Sequence, residues 1–316
     1  MRASPRCSVI IPTYNRVKLL EHTFDSLLRQ TMAPDDFEVV VADDGSSDGT
    51  DELVARYATR LNLRYCYQQD EGFRAAKARN LGLRAARGPV SVFVDSGVLL
   101  GSTALEVHCT VHEASAAPVA VTGYVWGYAD EHHVPESTIA VDDVDRTISG
   151  IAGDVRYRDK RELYYERYGE QLDTLAAPWV VYWTCNASAD TALVRDVGMF
   201  DEAFQSWGGE DTDLAYRLHR GGATFVLRRD AAALHYPHVK EDWRTVRANN
   251  RYFAEKYDTP ITRLRADHDI FLIEQAIREL DLPGCDDYEA AGGNRQPSAA
   301  GGGVAGRAGG AIRDGQ

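Results

Sequence analysis

The chain has 316 residues, of which 44% are hydrophobic and 26% are charged, a composition typical of one large or two small globular domains. Its formal net charge of −13 argues against binding to nucleic acid or to an anionic membrane surface through bulk electrostatics. An anionic ligand must therefore be held by local groups such as a few arginines, a metal ion or the N-termini of helices.

Cysteine content and hydropathy indicate a cytoplasmic protein. The five cysteines are widely spaced and lie mostly within apolar runs: Cys7, Cys66, Cys109, Cys185 and Cys285. They form no CxxC pair of the metal-binding type, so we expect reduced core residues. No apolar segment approaches the ~18 residues needed to span a bilayer, and the N-terminus lacks the apolar core of a signal peptide. We therefore expect no membrane span. Because of the net negative charge, we also expect no nucleic-acid partner.

Strand and helix patterns alternate through the first half of the chain. Four short apolar runs predict buried parallel strands at 7–11, 37–42, 63–67 and 90–94. Apolar residues at helical spacing predict helices at 17–28, 50–57, 72–86 and 102–114. Either Asp48 or Thr50 is available to cap the second of these helices. The alternation with short connections predicts an α/β fold with a doubly wound, mostly parallel sheet.

Polar residues cluster where the predicted strands end: Thr13 and Asn15, then Asp43 and Asp44, then Asp95. Ligands of doubly wound sheets bind beyond the carboxyl ends of the strands, so three such clusters on one edge favour a binding site. No G-x-G-x-x-G follows the first strand, and no P-loop is present. Carboxylates at this edge suit hydrogen bonds to a base N–H or to ribose hydroxyls, or a divalent metal that holds phosphate.

The second half is less regular. Residues 122–178 are rich in Tyr, Trp and His and carry an acidic patch, and we expect this stretch to vary with the substrate. Its His132-His133 pair is more typical of a solvated loop than of a metal site. Further helices are predicted at 159–168, 243–257 and 261–280, and a short helix with a turn is predicted at 194–204. Strands are predicted at 179–187 and 224–227, after which 231–235 leads into Tyr236. From residue 283 the Gly- and Ala-rich composition predicts a disordered tail.

The most distinctive stretch is 207–213, which reads WGGEDTD and runs into a helical pattern. Two glycines allow a tight turn and a close approach to another molecule. Glu210, Asp211 and Asp213 then lie in the first turn of a helix. A structural interpretation stands beside the functional one, because acids complement the dipole at a helix N-terminus and Asp213 can pair with Arg217 at i,i+4 spacing.

Four ordered motifs resemble known enzymes. Residues 8–16 (SVIIPTYNR), 39–50 (VVVADDGSSDGT) and 78–82 (ARNLG) resemble the family 2 glycosyltransferases of GT-A fold. Residues 207–213 resemble the acceptor-side motif of galactosyltransferases and chondroitin-polymerase-like transferases. The resemblance spans roughly residues 7–240. It implies transfer of a sugar from a nucleotide sugar, usually a UDP-sugar, to a hydroxyl of a small-molecule or saccharide acceptor with inversion.

The resemblance also implies roles for individual residues. Donor binding falls on Pro12, Thr13, Tyr14, Asn15, Asp43, Asp44, Arg79, Asp95 and Ser96. Whether Asp43 or Asp44 accepts from the uracil or ribose stays open. Asp211 matches the general base, with Trp207, Gly209 and Glu210 on the acceptor. Asp95 and His235 match metal ligands, with His238 as a nearby alternative to His235.

One departure from the family pattern concerns the metal. The usual D-x-D motif is Asp95-Ser96-Gly97 here, so its second acid is absent. Asp95 and His235 alone make a thin site for a hard cation that prefers several oxygens. We expect Mn²⁺ or Mg²⁺ with diphosphate oxygens and water completing the shell; the alternative is that Arg74, Lys77 and Arg79 replace the metal.

The expected domain organisation is a single catalytic domain at 1–282, followed by the tail at 283–316. Within the domain we expect a nucleotide-binding half at 7–115, an acceptor-binding half at 116–240 and a helical extension at 241–282. Alternatives to an inverting transferase are a catalytically inactive nucleotide- or carbohydrate-binding module, a nucleotidyltransferase, and a retaining transferase on the same scaffold. The altered metal motif favours the inactive module, whereas the complete 207–213 motif favours an enzyme.

Overall fold

A mixed β-sheet forms the centre of the protein in the computed structural model, which describes residues 4–128, 132–238 and 245–284. Its strands are β1 (Cys7–Thr13), β2 (Phe37–Asp43), β3 (Leu63–Tyr67), β4 (Val90–Val94), β5 (Val98–Leu100), β6 (Val119–Trp126), β7 (Asn186–Asp190) and β8 (Thr224–His235). Their order across the sheet is β3-β2-β1-β4-β7-β6-β8-β5. The predicted tail lies almost wholly in 285–316, outside the described residues.

Helices cover the two faces of this sheet. They are α1 (Val17–Leu27), α2 (Thr50–Tyr57), α3 (Ala75–Ala85), α4 (Ala104–Ala114), α5 (Val144–Ile151), α6 (Glu162–Tyr168), α7 (Thr191–Asp196), α8 (Glu210–Arg220), α9 (Val246–Tyr257), α10 (Pro260–Asp267) and α11 (Ile273–Glu279). None of the helices in the described part of the chain is long and apolar enough to cross a membrane.

The N-terminal half confirms the predicted alternation. Strands β1, β2, β3 and β4 pair in parallel, with α1, α2 and α3 as the connections. In the register of β1 and β2, Thr13 lies opposite Asp43. The first two polar clusters therefore share the carboxyl edge of the sheet, because parallel strands end on the same side.

The second half makes the sheet mixed. Strand β7 is antiparallel to both β4 and β6, and β5 is antiparallel to β8. The fold class is confirmed, since β6 and β8 pair in parallel like the N-terminal strands. Sequence patterns missed β5 and β6. The strand predicted at 224–227 continues to His235, with an irregularity between the Gly123–Arg228 and Val125–Ala233 pairs.

Two element predictions were wrong. Instead of a strand at 179–187, a 3₁₀ turn forms at Pro178–Val181 and the strand begins at Asn186. Residues 179–182 are fully buried, and a short apolar run does not distinguish a buried turn from a strand. The helix predicted at 261–280 is divided, because the side chain of Asp269 accepts from the Phe271 N–H and starts a 3₁₀ turn at Ile270–Leu272.

The predicted cap of α2 was also wrong. Gly49, with φ of +88°, occupies the N-cap position and no side chain caps the helix. Asp48 instead accepts a hydrogen bond from the Val17 N–H at 2.8 Å, at the start of α1, and one from the Thr50 hydroxyl at 2.6 Å. The Asp48 carboxylate therefore binds the start of α1 and the Thr50 side chain, and it does not cap α2.

The free cysteines agree with the sequence analysis. Cys7, Cys109 and Cys185 are buried, Cys66 is partly buried, and none of these four forms a disulfide. Cys285 lies outside the described residues.

A buried histidine network joins α4 to β7. Asn186 Oδ1 can only accept, so His108 Nε2–H donates to it at 3.1 Å and the neutral Nδ1 accepts from the Ser188 hydroxyl at 2.9 Å. The Ser188 oxygen in turn accepts from His112 Nε2–H at 2.9 Å. The Ser188 hydroxyl can donate to His108 Nδ1 only while the His108 imidazole is neutral.

We expect the free energy of unfolding to fall as the pH falls from about 6.5 to about 4. Burial lowers the pKa of His108 to about 4, whereas an unfolded histidine has a pKa of about 6.5. Between these values the unfolded chain binds the proton and the folded protein does not, so stability is lost by up to about 3 kcal/mol. Urea unfolding across this pH range measures the loss. In His108→Gln the slope should be shallower; an unchanged slope would assign the acid sensitivity to other groups.

Candidate active site at the carboxyl edge of the sheet

Arg79 of α3 connects the sequence motifs at the centre of the candidate site. Its side chain is only 5% exposed. Nη2 donates to Asp95 Oδ1 at 2.8 Å, just beyond β4, and Nη1 donates to Glu210 Oε1 at 2.9 Å, at the start of α8. The guanidinium also faces the Phe200 ring, 5.4 Å from its centroid. Although burial opposes it, the charges of Asp95 and Glu210 raise the pKa of Arg79, so the arginine stays a cation.

The hydrogen bonds of Arg79 limit its predicted role in binding the donor. Both terminal nitrogens already donate to protein carboxylates, and Nε is buried without a partner among the described residues. Direct contact with a diphosphate would require Asp95 or Glu210 to release it. Contact with the donor therefore stays a prediction, while a structural role in holding α8 against β4 is observed.

The two acids at the end of β2, Asp43 and Asp44, are held by hydrogen bonds from the protein itself. Asp43 accepts from the backbone N–H groups of Gly45 and Ser46 and from the Tyr65 hydroxyl, at 3.0, 2.7 and 2.7 Å. Asp44 accepts from Gln68 and from the backbone N–H of Arg74. Burial raises the pKa of Asp44 above its ordinary value. Both carboxylates shape the loops around the edge, and which of them contacts a nucleotide stays open.

The remaining predicted donor residues line the same edge. The Ser96 hydroxyl donates to the Pro12 carbonyl at 2.9 Å, which ties the end of β4 to β1. Asn15, with φ of +49°, accepts from the Ser47 N–H at 2.8 Å. Tyr14 is 44% exposed, with its hydroxyl 2.8 Å from Asp70. Thr13 is buried and its hydroxyl makes no hydrogen bond within the described chain. The fold thus brings these residues together around one open edge.

The two glycines before α8 make the turn that the sequence predicts. Gly208 and Gly209 have φ of +89° and +98°, in the left-handed region that favours glycine. A Cβ on Gly209 would lie 3.1 Å from Phe204 and 3.3 Å from Asn249. Asn249 of α9 donates to the carbonyls of Ser206, Trp207 and Gly208 and holds the turn from outside the motif.

Asp211 is a carboxylate with an unusual proton affinity. Burial, followed by the charge of Glu210, raises its pKa to about 7. Opposing effects come from the Thr212 N–H, which donates to Asp211 Oδ1 at 2.7 Å, and from the charges of Arg79 and Arg265. A group with a pKa near neutral pH can both accept and release a proton under physiological conditions.

Asp213 follows the structural interpretation. It is fully buried and accepts from Arg217 at 2.7 Å, from Lys256 at 2.6 Å and from Tyr257 at 2.8 Å. These contacts fasten α9 to α8, so the third acid of the motif does not face the candidate site.

The predicted metal ligands lie near one another but do not form a site alone. His235 lies opposite Val98 in the β5–β8 pair, and Val98 follows Asp95 by three residues. The centroid of the His235 ring is 4.8 Å from that of Tyr128 and 4.8 Å from that of His238. The alternative His238 contacts Arg16 Nη1 through Nε2 at 3.1 Å. Within the described chain no three His, Cys, Asp or Glu side chains are grouped to hold a metal ion. The protein residues therefore do not fit a cation without oxygens from a ligand.

Two residues near Asp211 escaped the sequence analysis. Tyr182 is fully buried, its hydroxyl has no hydrogen-bond partner in the described chain, and the charge of Asp211 acts on it. Arg265 of α10 likewise interacts with Asp211 by charge. No local pattern distinguishes them, because one lies in an apolar run and the other in an ordinary surface-type helix.

Comparison with known proteins gives a family match and a match of fold. Residues 8–170 match the family described as Glycosyl transferase family 2. The chain is 39% identical over 238 residues to Validoxylamine A glucosyltransferase of Streptomyces hygroscopicus subsp. limoneus, covering 75% of this chain and 52% of that protein. It thus spans about half the length of this curated relative.

Two solved structures share the fold. Staphylococcus aureus TarS 1–349 in complex with UDP-GlcNAc has a TM-score of 0.56 at 21% identity, covering 87% of this chain and 71% of that one. The mannosyltransferase PcManGT from Pyrobaculum calidifontis, in complex with GDP-Man and Mn²⁺, has a TM-score of 0.51 at 20% identity, covering 91% and 68%. At these identities the likeness concerns the fold, which is that of GT-A glycosyltransferases.

Proposed function

The chain belongs to glycosyl transferase family 2, and we propose that it transfers a hexose from a nucleoside-diphosphate sugar to a hydroxyl group of a saccharide or small-molecule acceptor. The observation that supports this most directly is the contact of Arg79 with both Asp95 and Glu210. It joins the end of β4, where a donor would lie, to the first turn of α8, where Asp211 stands.

We propose UDP as the nucleotide and inversion as the stereochemical outcome. The donor would lie across Pro12, Thr13 and Tyr14 at the open edge of the sheet. A structural neighbour holds UDP-GlcNAc, and the 39% identical relative is named a glucosyltransferase. A UDP-hexose is therefore the donor class to test first.

The reaction in this proposal is a single displacement with Asp211 as general base. The acceptor oxygen forms a bond to the anomeric carbon as the bond from that carbon to the diphosphate oxygen breaks. The acceptor hydroxyl proton passes to an Asp211 carboxylate oxygen, and the nucleoside diphosphate leaves with the bonding electron pair. Removal of this proton is needed only as the new bond forms, so a carboxylate with a pKa near 7 is a sufficient base.

On the acceptor side we propose Trp207, Gly209 and Glu210. Glu210 Oε1 accepts from Arg79, whereas Oε2 is buried without a partner in the described chain. A hydroxyl of an acceptor could satisfy that oxygen after a small movement of the side chain. A relative is named Validoxylamine A glucosyltransferase, and we propose a small-molecule acceptor as the class to test first.

A divalent cation, Mn²⁺ or Mg²⁺, is proposed only as a companion of the donor. When bound, it would neutralise charge on the diphosphate leaving group. Asp95 and His235 are the side chains that would hold it, with the diphosphate supplying the oxygens that the protein lacks. The neighbour with GDP-Man and Mn²⁺ supports testing this cation first.

We further propose that residues 1–282 act as one catalytic domain, with donor residues in 7–115, acceptor residues in 116–240 and a helical extension at 241–282. The extension does more than cover the sheet, because Asn249 holds the glycine turn and Lys256 holds Asp213.

Calorimetric titration with UDP, with and without Mn²⁺, tests the donor site. We expect binding that is at least about tenfold tighter with Mn²⁺, because Asp95 and His235 need diphosphate oxygens to hold the ion. Asp95→Asn should remove that gain. Equal affinity for UDP with and without metal would indicate that arginine and lysine side chains, rather than a metal ion, bind the diphosphate. No binding of UDP under either condition would contradict UDP as the donor nucleotide.

A further inference from the structure

Arg265 is an arginine whose charge has no direct partner among the described residues. Both terminal nitrogens of Arg79 donate to carboxylates. In contrast, Arg265 makes no hydrogen bond or ion pair within the described chain. Its Nε is buried, while the residue as a whole keeps partial exposure. The terminal nitrogens of this partly exposed guanidinium are therefore available to an anionic group of a ligand.

The position of Arg265 places it on the acceptor side. It lies on α10, which packs against α9, the helix that carries Asn249 and holds the turn before Asp211. The residues whose negative charges act on it are Asp211 and Asp269. It therefore lies within electrostatic range of the proposed base and makes no hydrogen bond or ion pair with it.

The charge balance around Arg265 points the same way. Burial lowers the pKa of Arg265 to about 10, against the opposing charges of Asp211 and Asp269. The Asp211 carboxyl is a weak compensator, because its own pKa is raised to about 7. The Tyr182 hydroxyl, which is buried without a partner in the described part of the chain, is also within electrostatic range of Asp211.

We propose that Arg265 binds an anionic oxygen group of the acceptor, such as a carboxylate or phosphate, next to Asp211. The inference rests on the proposed function and extends it by naming the acceptor class, a hydroxylated molecule that carries a negative charge. Two or more N–H donors of a guanidinium fit a carboxylate or phosphate, and the bound anion would lie beside the hydroxyl that Asp211 deprotonates.

Inorganic phosphate is the probe for this site. Wild-type protein is first saturated with UDP, so that the donor diphosphate site is filled, and phosphate is then titrated by calorimetry at constant ionic strength. Arg265→Gln should weaken phosphate binding by about tenfold or more, as expected for loss of a charged hydrogen bond. Arg265→Lys should retain part of the affinity, because it keeps the charge but not the planar fork.

Arg263→Gln is the matched control. Arg263 lies on the same helix, is 61% exposed and pairs with Asp258 at 2.7 Å, so its loss should leave phosphate binding unchanged. Circular dichroism of each variant verifies folding.

Two results would overturn the proposal. One is phosphate binding that is absent from the UDP-saturated wild type or equal in wild type and Arg265→Gln. The other is a tenfold loss of UDP affinity in Arg265→Gln, which would assign the residue to the donor diphosphate. Failure of the wild-type protein to bind UDP is a separate result that contradicts the proposed donor. In that case phosphate titration without UDP would still compare Arg265→Gln with Arg263→Gln.

Discussion

Asp211→Asn should lower turnover by about a hundred- to ten-thousand-fold while UDP binding stays unchanged. The substitution keeps the size of the side chain but removes the oxygen that would accept the acceptor proton. It also removes a negative charge beside Glu210, so we expect no loss of folding stability. Turnover is measured as release of UDP from a UDP-hexose in the presence of acceptor, and affinity by titration with UDP. Unchanged turnover would eliminate Asp211 as the base.

The pH dependence of the wild type provides a second measurement on the same residue. Because burial and the charge of Glu210 raise the pKa of Asp211 to about 7, half of the base should be protonated near neutral pH. Activity should therefore fall as the pH decreases through about 7. An acid limb near the ordinary aspartate pKa of about 4 would contradict this environment for the carboxylate.

Asp213→Asn is the control within the same helical turn. Its carboxylate pairs with Arg217 and Lys256 and faces away from the candidate site. The variant should lose stability toward urea, while turnover per folded molecule stays near that of the wild type. Opposite profiles for Asp211 and Asp213 would separate the base from the structural acid.

Arg161→Met should lower the free energy of unfolding by about 3–5 kcal/mol, because it leaves a buried carboxylate without its cation. The side chains of Arg161 and Asp159 are fully buried, and the guanidinium donates two hydrogen bonds to the carboxylate, at 3.0 and 2.6 Å. Arg161 also donates to the carbonyls of Gly123 and Val181, at 2.8 and 3.1 Å. The pair thus joins β6 to the buried turn that precedes Tyr182. Urea unfolding at neutral pH measures the loss.

The chain contains a matched control for this prediction. Arg156 pairs with Asp154 through the same two-residue spacing and the same two-pronged contact, but this pair is exposed. Arg156→Met should leave the free energy of unfolding nearly unchanged, because solvent screens an exposed ion pair. Equal effects of the two substitutions would show that burial does not set the strength of the Arg161 pair.

Local patterns predicted the elements that carry the site because each depends on residues near one another in the chain. The four buried strands of the N-terminal half follow from apolar runs, and the turn before α8 follows from Gly208 and Gly209. The same patterns failed where burial rather than periodicity governs the backbone, as at Pro178–Val181. The capping prediction for Asp48 failed because a backbone N–H 31 residues away took its carboxylate.

The sequence by itself determined the fold class, the edge of the sheet where polar residues gather, and the acids in the first turn of α8. These depend on residue spacing, which the chain displays directly. Only the tertiary structure decided which acids are structural, since Asp213 is neutralised by Lys256 of a distant helix. It also brought Arg79 to Glu210 across 131 residues and Arg265 toward Asp211. Such pairings depend on how helices pack against the sheet, and packing sums many weak contacts that no short stretch of sequence contains.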